Sequence, residues 1–204
     1  MDKVIDYYFS PSSPWTYLGH ARFTALAARH GARVNLKPAD FGTVFPATGG
    51  LPLAQRPKPR QDYRLAELRR WSAHLGLPLN LHPRYFPVAA DAAARMIIAA
   101  DLAHGTASAL DLAGRLMATV WVKEGNIADA NSLAAIAAEA RLGGTALLQR
   151  SEQEDVKNRY ARYTEEAVAR GVFGAPFYIY RDEPFWGQDR LDFLDRALAG
   201  DKSA

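Results

Sequence analysis

Apolar and polar positions along this chain follow two different periods. The run Val4-Ile5-Asp6-Tyr7-Tyr8-Phe9 is rich in β-branched and aromatic residues and predicts a buried strand. A period of three to four follows. Leu18, Ala21 or Arg22, Ala25 and Leu26, then Arg29 line one side, with Gly31 as the stop, and predict a helix. Residues 33–38 alternate and predict a second strand beside the first. A strand–helix–strand start argues for an α/β domain. Residues 40–59 are rich in Gly and Pro and predict a long irregular stretch of the kind used as a functional loop or lid. Helical periodicity then dominates, over about 60–75 with Gly76 as the stop, and in alanine-rich stretches near 89–103, 107–121, 131–141 and 151–170. Between them lie an aromatic connector at 79–87 and a loop at 120–129, with Asp129 or Asn131 as the cap of the next helix. The pattern returns to a strand at 177–180, a turn at 181–184, a strand from Phe185, and a closing helix with Leu191, Leu194, Ala197 and Leu198 on one face.

Composition narrows the picture. With 204 residues, 49% of them hydrophobic, the chain fits one domain with an elaboration. A net charge of +3 without a basic stripe gives no reason to expect nucleic acid. No apolar run reaches the roughly 18 residues of a membrane span. The first residues enter a strand rather than a secretory signal, so the cytoplasm is the expected location. Cysteine is absent, which excludes disulfides, cysteine-bound zinc and dithiol chemistry. Any thiol must come from outside. No metal-ligand spacing stands out, none of the five histidines lies in a motif, and each reads as surface or helix filler.

Candidate chemistry concentrates at Ser10-Pro11-Ser12-Ser13-Pro14-Trp15-Thr16-Tyr17-Leu18. Ser12 and Ser13 fall where strand becomes helix, and Pro14 takes a first-turn position that needs no N–H. A serine there caps the helix. The same place offers free N–H donors and about half a positive charge, which stabilise an anion such as a thiolate. Farther on, Arg60 and Arg64 fall on the face of the 60–75 helix that carries Leu68, Trp71 and Leu75. They either snorkel to water or meet a carboxylate.

Ser13-Pro14-Trp15-Thr16-Tyr17-Leu18, together with Gly-Val-Phe-Gly-Ala-Pro at 171–176 and Trp-Gly-Gln-Asp-Arg-Leu at 186–191, resembles the glutathione-dependent 2-hydroxychromene-2-carboxylate isomerases and kappa-class glutathione transferases. The resemblance spans nearly the whole chain. It implies an α/β fold, a DsbA-like thioredoxin-like domain with a large all-α helical insertion. The thioredoxin-like, glutathione-binding part would be 1–42 with 170–204, and the helical insertion with active-site loops 43–169. Laid on the redox motif of that fold, Ser13 takes the place of the nucleophilic cysteine and Thr16 that of the resolving one. Pro176 corresponds to the cis proline, and the Ala175 backbone would pair with glutathione. Gln188 and Asp189, at the start of the last helix, would hold its γ-glutamyl end.

Further implications follow from the same likeness. Glutathione would be the cofactor, and Trp15, Arg60 and Arg64 would line a pocket for a small aromatic carboxylate. The reaction would be a cis–trans isomerisation in aromatic compound catabolism, carried out by a homodimer. Conjugation or peroxide reduction, as in kappa transferases, is the alternative enzyme reading. A peptide-binding module using the Pro176 groove is the non-enzyme one. Relatives often carry Asn where this chain has Gly50, which removes one amide contact to glutathione.

Overall fold

The computed structural model describes residues 2–200. Among these, four strands form one mixed sheet in the order β2-β1-β3-β4. The central strand β1 (Val4–Phe9) runs parallel to β2 (Arg33–Pro38) and antiparallel to β3 (Phe177–Tyr180), which pairs antiparallel with β4 (Glu183–Trp186). Both faces of β1 are covered, so its run is apolar apart from Asp6. A parallel pair needs a crossover, and α1 (Pro14–Arg29) supplies it. The turn before β4 is tighter than its sequence suggests. Arg181 and Asp182 both take left-handed φ, at 52° and 64°, so β4 starts at Glu183 rather than at Phe185.

Leu18 and Leu26 on α1 are buried as their spacing predicts, but the inward face is turned toward Thr16, Gly19, His20, Phe23 and Ala27, and Ala21 and Ala25 are exposed. The apolar pattern leaves out His20. Its imidazole lies between Tyr7 Oη at 3.2 Å and the Leu110 carbonyl at 2.9 Å. Burial lowers its pKa. His20 is therefore core, not surface or filler.

Between β2 and β3 the chain is helical. Residues 40–59 are less irregular than their Gly and Pro content suggests. They hold α2 (Phe41–Ala47) and a 3-10 turn, Leu53–Gln55. Asp40 starts α2 by accepting the Gly42 N–H at 2.7 Å, and Pro46 falls in the last turn, where it does not prevent the helix. Then come α3 (Lys58–Leu75), stopped by Gly76 at φ 64°, α4 (Asp91–His104), α5 (Thr106–Trp121) and α6 (Ala130–Glu139), which Asp129 caps. Two helices follow where the sequence predicts one over about 151–170: α7 (Gly144–Ser151), which the periodicity leaves out, and α8 (Glu154–Ala169). The last helix, α9 (Leu191–Ala199), buries Leu191, Leu194, Ala197 and Leu198 as their spacing predicts.

One buried cluster joins Tyr7, Phe23 and Tyr178 to Met96, Ile97 and Leu116. The Tyr7 ring lies 4.4 Å from Phe23 and 5.2 Å from Tyr178. Each such side chain contributes about 1.5–3 kcal/mol, so the helical segment and the sheet stabilise each other. Across the sheet, Tyr8, Phe41, Val44 and Phe177 form a second cluster. There the ammonium of buried Lys37 is shared by Asp6 and Glu166, fastening α8 to the sheet. No helix among the described residues is long and apolar enough to cross a membrane.

Candidate active site

Ser13 is the N-cap of α1. Its Oγ accepts the Thr16 N–H at 3.2 Å, and Pro14 follows in the first turn. The cap is thus Ser13 and not Ser12, whose Oγ lies 3.1 Å from Ser10 Oγ. Capping uses an oxygen lone pair and leaves the hydroxyl proton free to donate. That proton is directed at the Ala175 carbonyl at 3.5 Å, a long and weak contact across 162 positions of sequence. An anionic acceptor placed beside it would win the proton. The first turn of α1 holds no acidic side chain to compete for the helix dipole. Thr16, the other residue of the motif, has its Oγ1 buried without a hydrogen-bond partner among the described residues.

Ala175 precedes Pro176 in a cis peptide bond, as the resemblance implies. The Pro176 carbonyl accepts the Gly187 N–H at 2.9 Å, so the proline loop carries the segment that follows β4. Gln188 and Asp189 lie in a separate 3-10 turn, Gln188–Arg190, ahead of α9, rather than in its first turn. The Gln188 side chain is buried and accepts from Arg22 at 3.0 Å, so it fixes the turn to α1. Gly19 makes this approach possible, because a Cβ there would stand 2.7 Å from Gln188 Cβ. Asp189 is exposed, with Oδ2 2.8 Å from an Arg190 nitrogen. Ser13, Ala175, Pro176, Gln188 and Asp189 therefore belong to one linked neighbourhood.

The residues expected to line a substrate pocket separate. Arg60 is exposed, and Arg64 is half-buried. Arg64 lines a cavity of about 260 Å³ together with Leu53, Leu65, Pro83 and Phe86, among others. Neither Arg60 nor Trp15 lines it. The Arg64 guanidinium stands over the Phe86 ring at 5.3 Å and the Trp121 ring at 5.9 Å. Burial first, and the neighbouring Arg56 charge second, push its pKa down to about 10.

A family model described as a DSBA-like thioredoxin domain matches residues 4–199. The chain belongs to the DSBA-like thioredoxin family. Within that family it falls with enzymes. A 2-hydroxychromene-2-carboxylate isomerase of Sphingobium xenophagum is 32% identical over 199 residues, 97% of this chain and 99% of the relative. The solved structure of a 2-hydroxychromene-2-carboxylate isomerase covers 97% of this chain and 95% of its own, at 26% identity with a TM-score of 0.76. The glutathione S-transferase kappa 2 of Caenorhabditis elegans is 24% identical over 213 residues, 97% of this chain and 94% of its own. The chain is an isomerase-class enzyme on a thioredoxin-like fold with a helical insertion.

Several residues of this DSBA-like site escape a sequence reading. Arg22, which holds Gln188, reads there only as part of a helix face. Tyr17 sits within the quoted motif, yet its role is longer-range: its hydroxyl donates to the Pro78 carbonyl at 2.8 Å and ties the residue just ahead of the 79–87 connector to α1. Phe86 and Trp121, 4.7 Å apart, come from two segments that read only as connector and loop. The aromatic and proline content of 79–87 was the available signal.

Proposed function

We propose that the chain is a glutathione-dependent cis–trans isomerase acting on an aromatic 2-hydroxychromene-2-carboxylate-type substrate. The observation that carries the reading is Ser13 Oγ, held at the start of α1 and turned toward Ala175 of the proline loop, in a chain without cysteine. Bound beside Ser13, glutathione supplies a thiolate that adds reversibly to a conjugated double bond and leaves after rotation. The chain's task is to hold that sulfur as the anion. A free thiol of pKa about 8.5 is only about 3% thiolate at pH 7, and lowering it to about 6.5 takes about 2.7 kcal/mol. The start of α1 contributes about 0.3–1 kcal/mol, and up to about 2 when partly buried. A Ser13 hydrogen bond to the anion adds about 1.5–3 kcal/mol. The two together suffice without a general base.

The Ala175 backbone pairs with the cysteinyl part in the manner of an added strand. Asp189 exchanges Arg190 for the γ-glutamyl ammonium. In this reading 1–42 with 170–204 hold glutathione and 43–169 hold the substrate, in a cytoplasmic homodimer. Calorimetric titration with glutathione and a spectral assay with 2-hydroxychromene-2-carboxylate test the proposal. Heat of binding and turnover that requires glutathione support it. No heat at millimolar glutathione contradicts it. Light scattering at the mass of a single chain would remove the dimer.

Kappa-like conjugation or peroxide reduction is the second reading. The kappa relative's match along 97% of this chain favours it, since the same Ser13 turn would activate the same thiol. Conjugation of an aromatic halide in the absence of isomerase turnover would select it.

A further inference from the structure

The Gln188–Arg190 turn is held from two sides. On one side the Gly187 N–H donates to the Pro176 carbonyl at 2.9 Å. On the other, a terminal nitrogen of Arg22 donates to Gln188 Oε1 at 3.0 Å and, more weakly, to the Gln188 carbonyl at 3.4 Å. Gln188 is 1% exposed, so loss of Arg22 would leave a buried acceptor without its donor. The second terminal nitrogen of Arg22 lies 3.7 Å from Asp192, whose side chain is 87% exposed, and an ion pair that open to water contributes little. Arg22 therefore acts mainly through Gln188. Its neighbour Asp189 packs back on the turn: a Cβ at Gly187, which takes φ 98°, would stand 2.4 Å from Asp189 Oδ1. Displacing the turn displaces that carboxylate.

We propose that Arg22 is a positioning residue, which by fastening Gln188 to α1 sets the separation between Ser13 and Asp189. Ser13 starts α1, and Arg22 lies about two and a half helical turns further along it. The helix is thus the ruler between the two, and Gly19 allows the turn to come close enough for Arg22 to reach. A ligand with its sulfur at Ser13 and its γ-glutamyl ammonium at Asp189 must match that separation. A ligand without the γ-glutamyl group need not. The inference rests on the glutathione reading for the identity of the ligand, and on the geometry of the free protein for the brace itself.

Two measurements on wild type, Arg22→Met, Arg22→Lys and Asp192→Asn test it. Amide hydrogen exchange without ligand reads the brace. The Gly187 and Arg190 amides, both hydrogen-bonded in the turn, should exchange about 3- to 10-fold faster in Arg22→Met and less so in Arg22→Lys, with the Tyr17 amide of α1 unchanged. Calorimetric titration reads the consequence. The glutathione Kd should rise about 3- to 10-fold in Arg22→Met, with partial rescue in Arg22→Lys, while cysteinylglycine, which lacks the γ-glutamyl group, binds all four proteins alike. Asp192→Asn should match wild type throughout. Arg22→Lys carries the test if Arg22→Met does not fold. Unchanged exchange overturns the inference, and with weaker glutathione binding it would make Arg22 a direct ligand instead. Equal losses for glutathione and cysteinylglycine, or an Asp192→Asn effect as large as that of Arg22→Met, overturn it as well. Absence of glutathione binding in wild type would strike the glutathione reading and leave the brace to be judged by exchange.

Discussion

The Ser13 turn and the Arg64 cavity treat their polar groups in opposite ways. At the turn, most polar groups are paired within the fold, the buried Thr16 Oγ1 being an exception. Ser13 accepts from Thr16 and points at Ala175, Gly187 donates to Pro176, and Gln188 accepts from Arg22. Most of these partners are backbone atoms, fixed by the sheet and by α1. At the cavity, a cation at the end of a long side chain meets only ring faces. A paired, backbone-built site suits chemistry that needs one geometry. An unpaired charge on an apolar wall suits a partner that arrives from solution. The two regions divide the work proposed for the chain, thiol activation on the sheet side and substrate recognition on the helical side.

The strongest way to break this contrast is Ser13→Ala. Loss of a hydrogen bond to a thiolate, about 1.5–3 kcal/mol, should lower kcat/KM with glutathione about 10- to 150-fold at pH 7. The same change removes the α1 cap and should cost about 1 kcal/mol in urea unfolding. A variant that loses stability but keeps its rate would reduce Ser13 to a cap. Gly19→Ala should act next most strongly, at the turn alone. Its Cβ would meet Gln188 Cβ at 2.7 Å and must displace the Gln188–Arg190 turn. Glutathione affinity should fall about 3- to 10-fold, consistent with about 1 kcal/mol of misplacement, while KM for 2-hydroxychromene-2-carboxylate at saturating glutathione is unchanged. Parallel losses at both sites would show that they are not separate.

A smaller effect concerns pH. His20 sits under α1 with its pKa lowered by burial. The unfolded chain then takes up a proton, near pH 6.5, that the folded chain resists, so stability falls as pH drops below about 6.5. Urea midpoints measured from pH 7 to pH 5 should decline in wild type, and the decline should flatten in His20→Gln. An unchanged slope would remove His20 as the cause. Ser12→Ala should be the mildest change, within about 0.5 kcal/mol of wild type in stability, because Ser12 only meets Ser10.

How much was legible from sequence follows the same division. The Ser13 turn, Pro176 and the Gln188-Asp189 segment lie in short motifs at strand ends, where local geometry fixes the backbone. Their meeting depends only on sheet order. The inward face of α1 was legible at Leu18 and Leu26 but not at His20, whose Tyr7 and Leu110 partners sequence spacing does not reveal. Residues 40–59 were read as irregular because Gly and Pro outweigh one capping aspartate in composition, though not in energy. Arg64 and Arg60 share a helix face, and only the packing of Phe86 and Trp121 against one of them separates the two.

The central claim is that Ser13 holds a bound thiolate. The direct test is the ultraviolet absorbance of the glutathione thiolate, titrated against pH on wild type and Ser13→Ala at saturating glutathione. Loss of the charge-assisted hydrogen bond should raise the pKa of the bound thiol by about one to two units in the variant. The rate deficit of Ser13→Ala should shrink as pH approaches the free-thiol value, because solvent then supplies the anion. Superimposable titration curves for the two proteins would contradict the account.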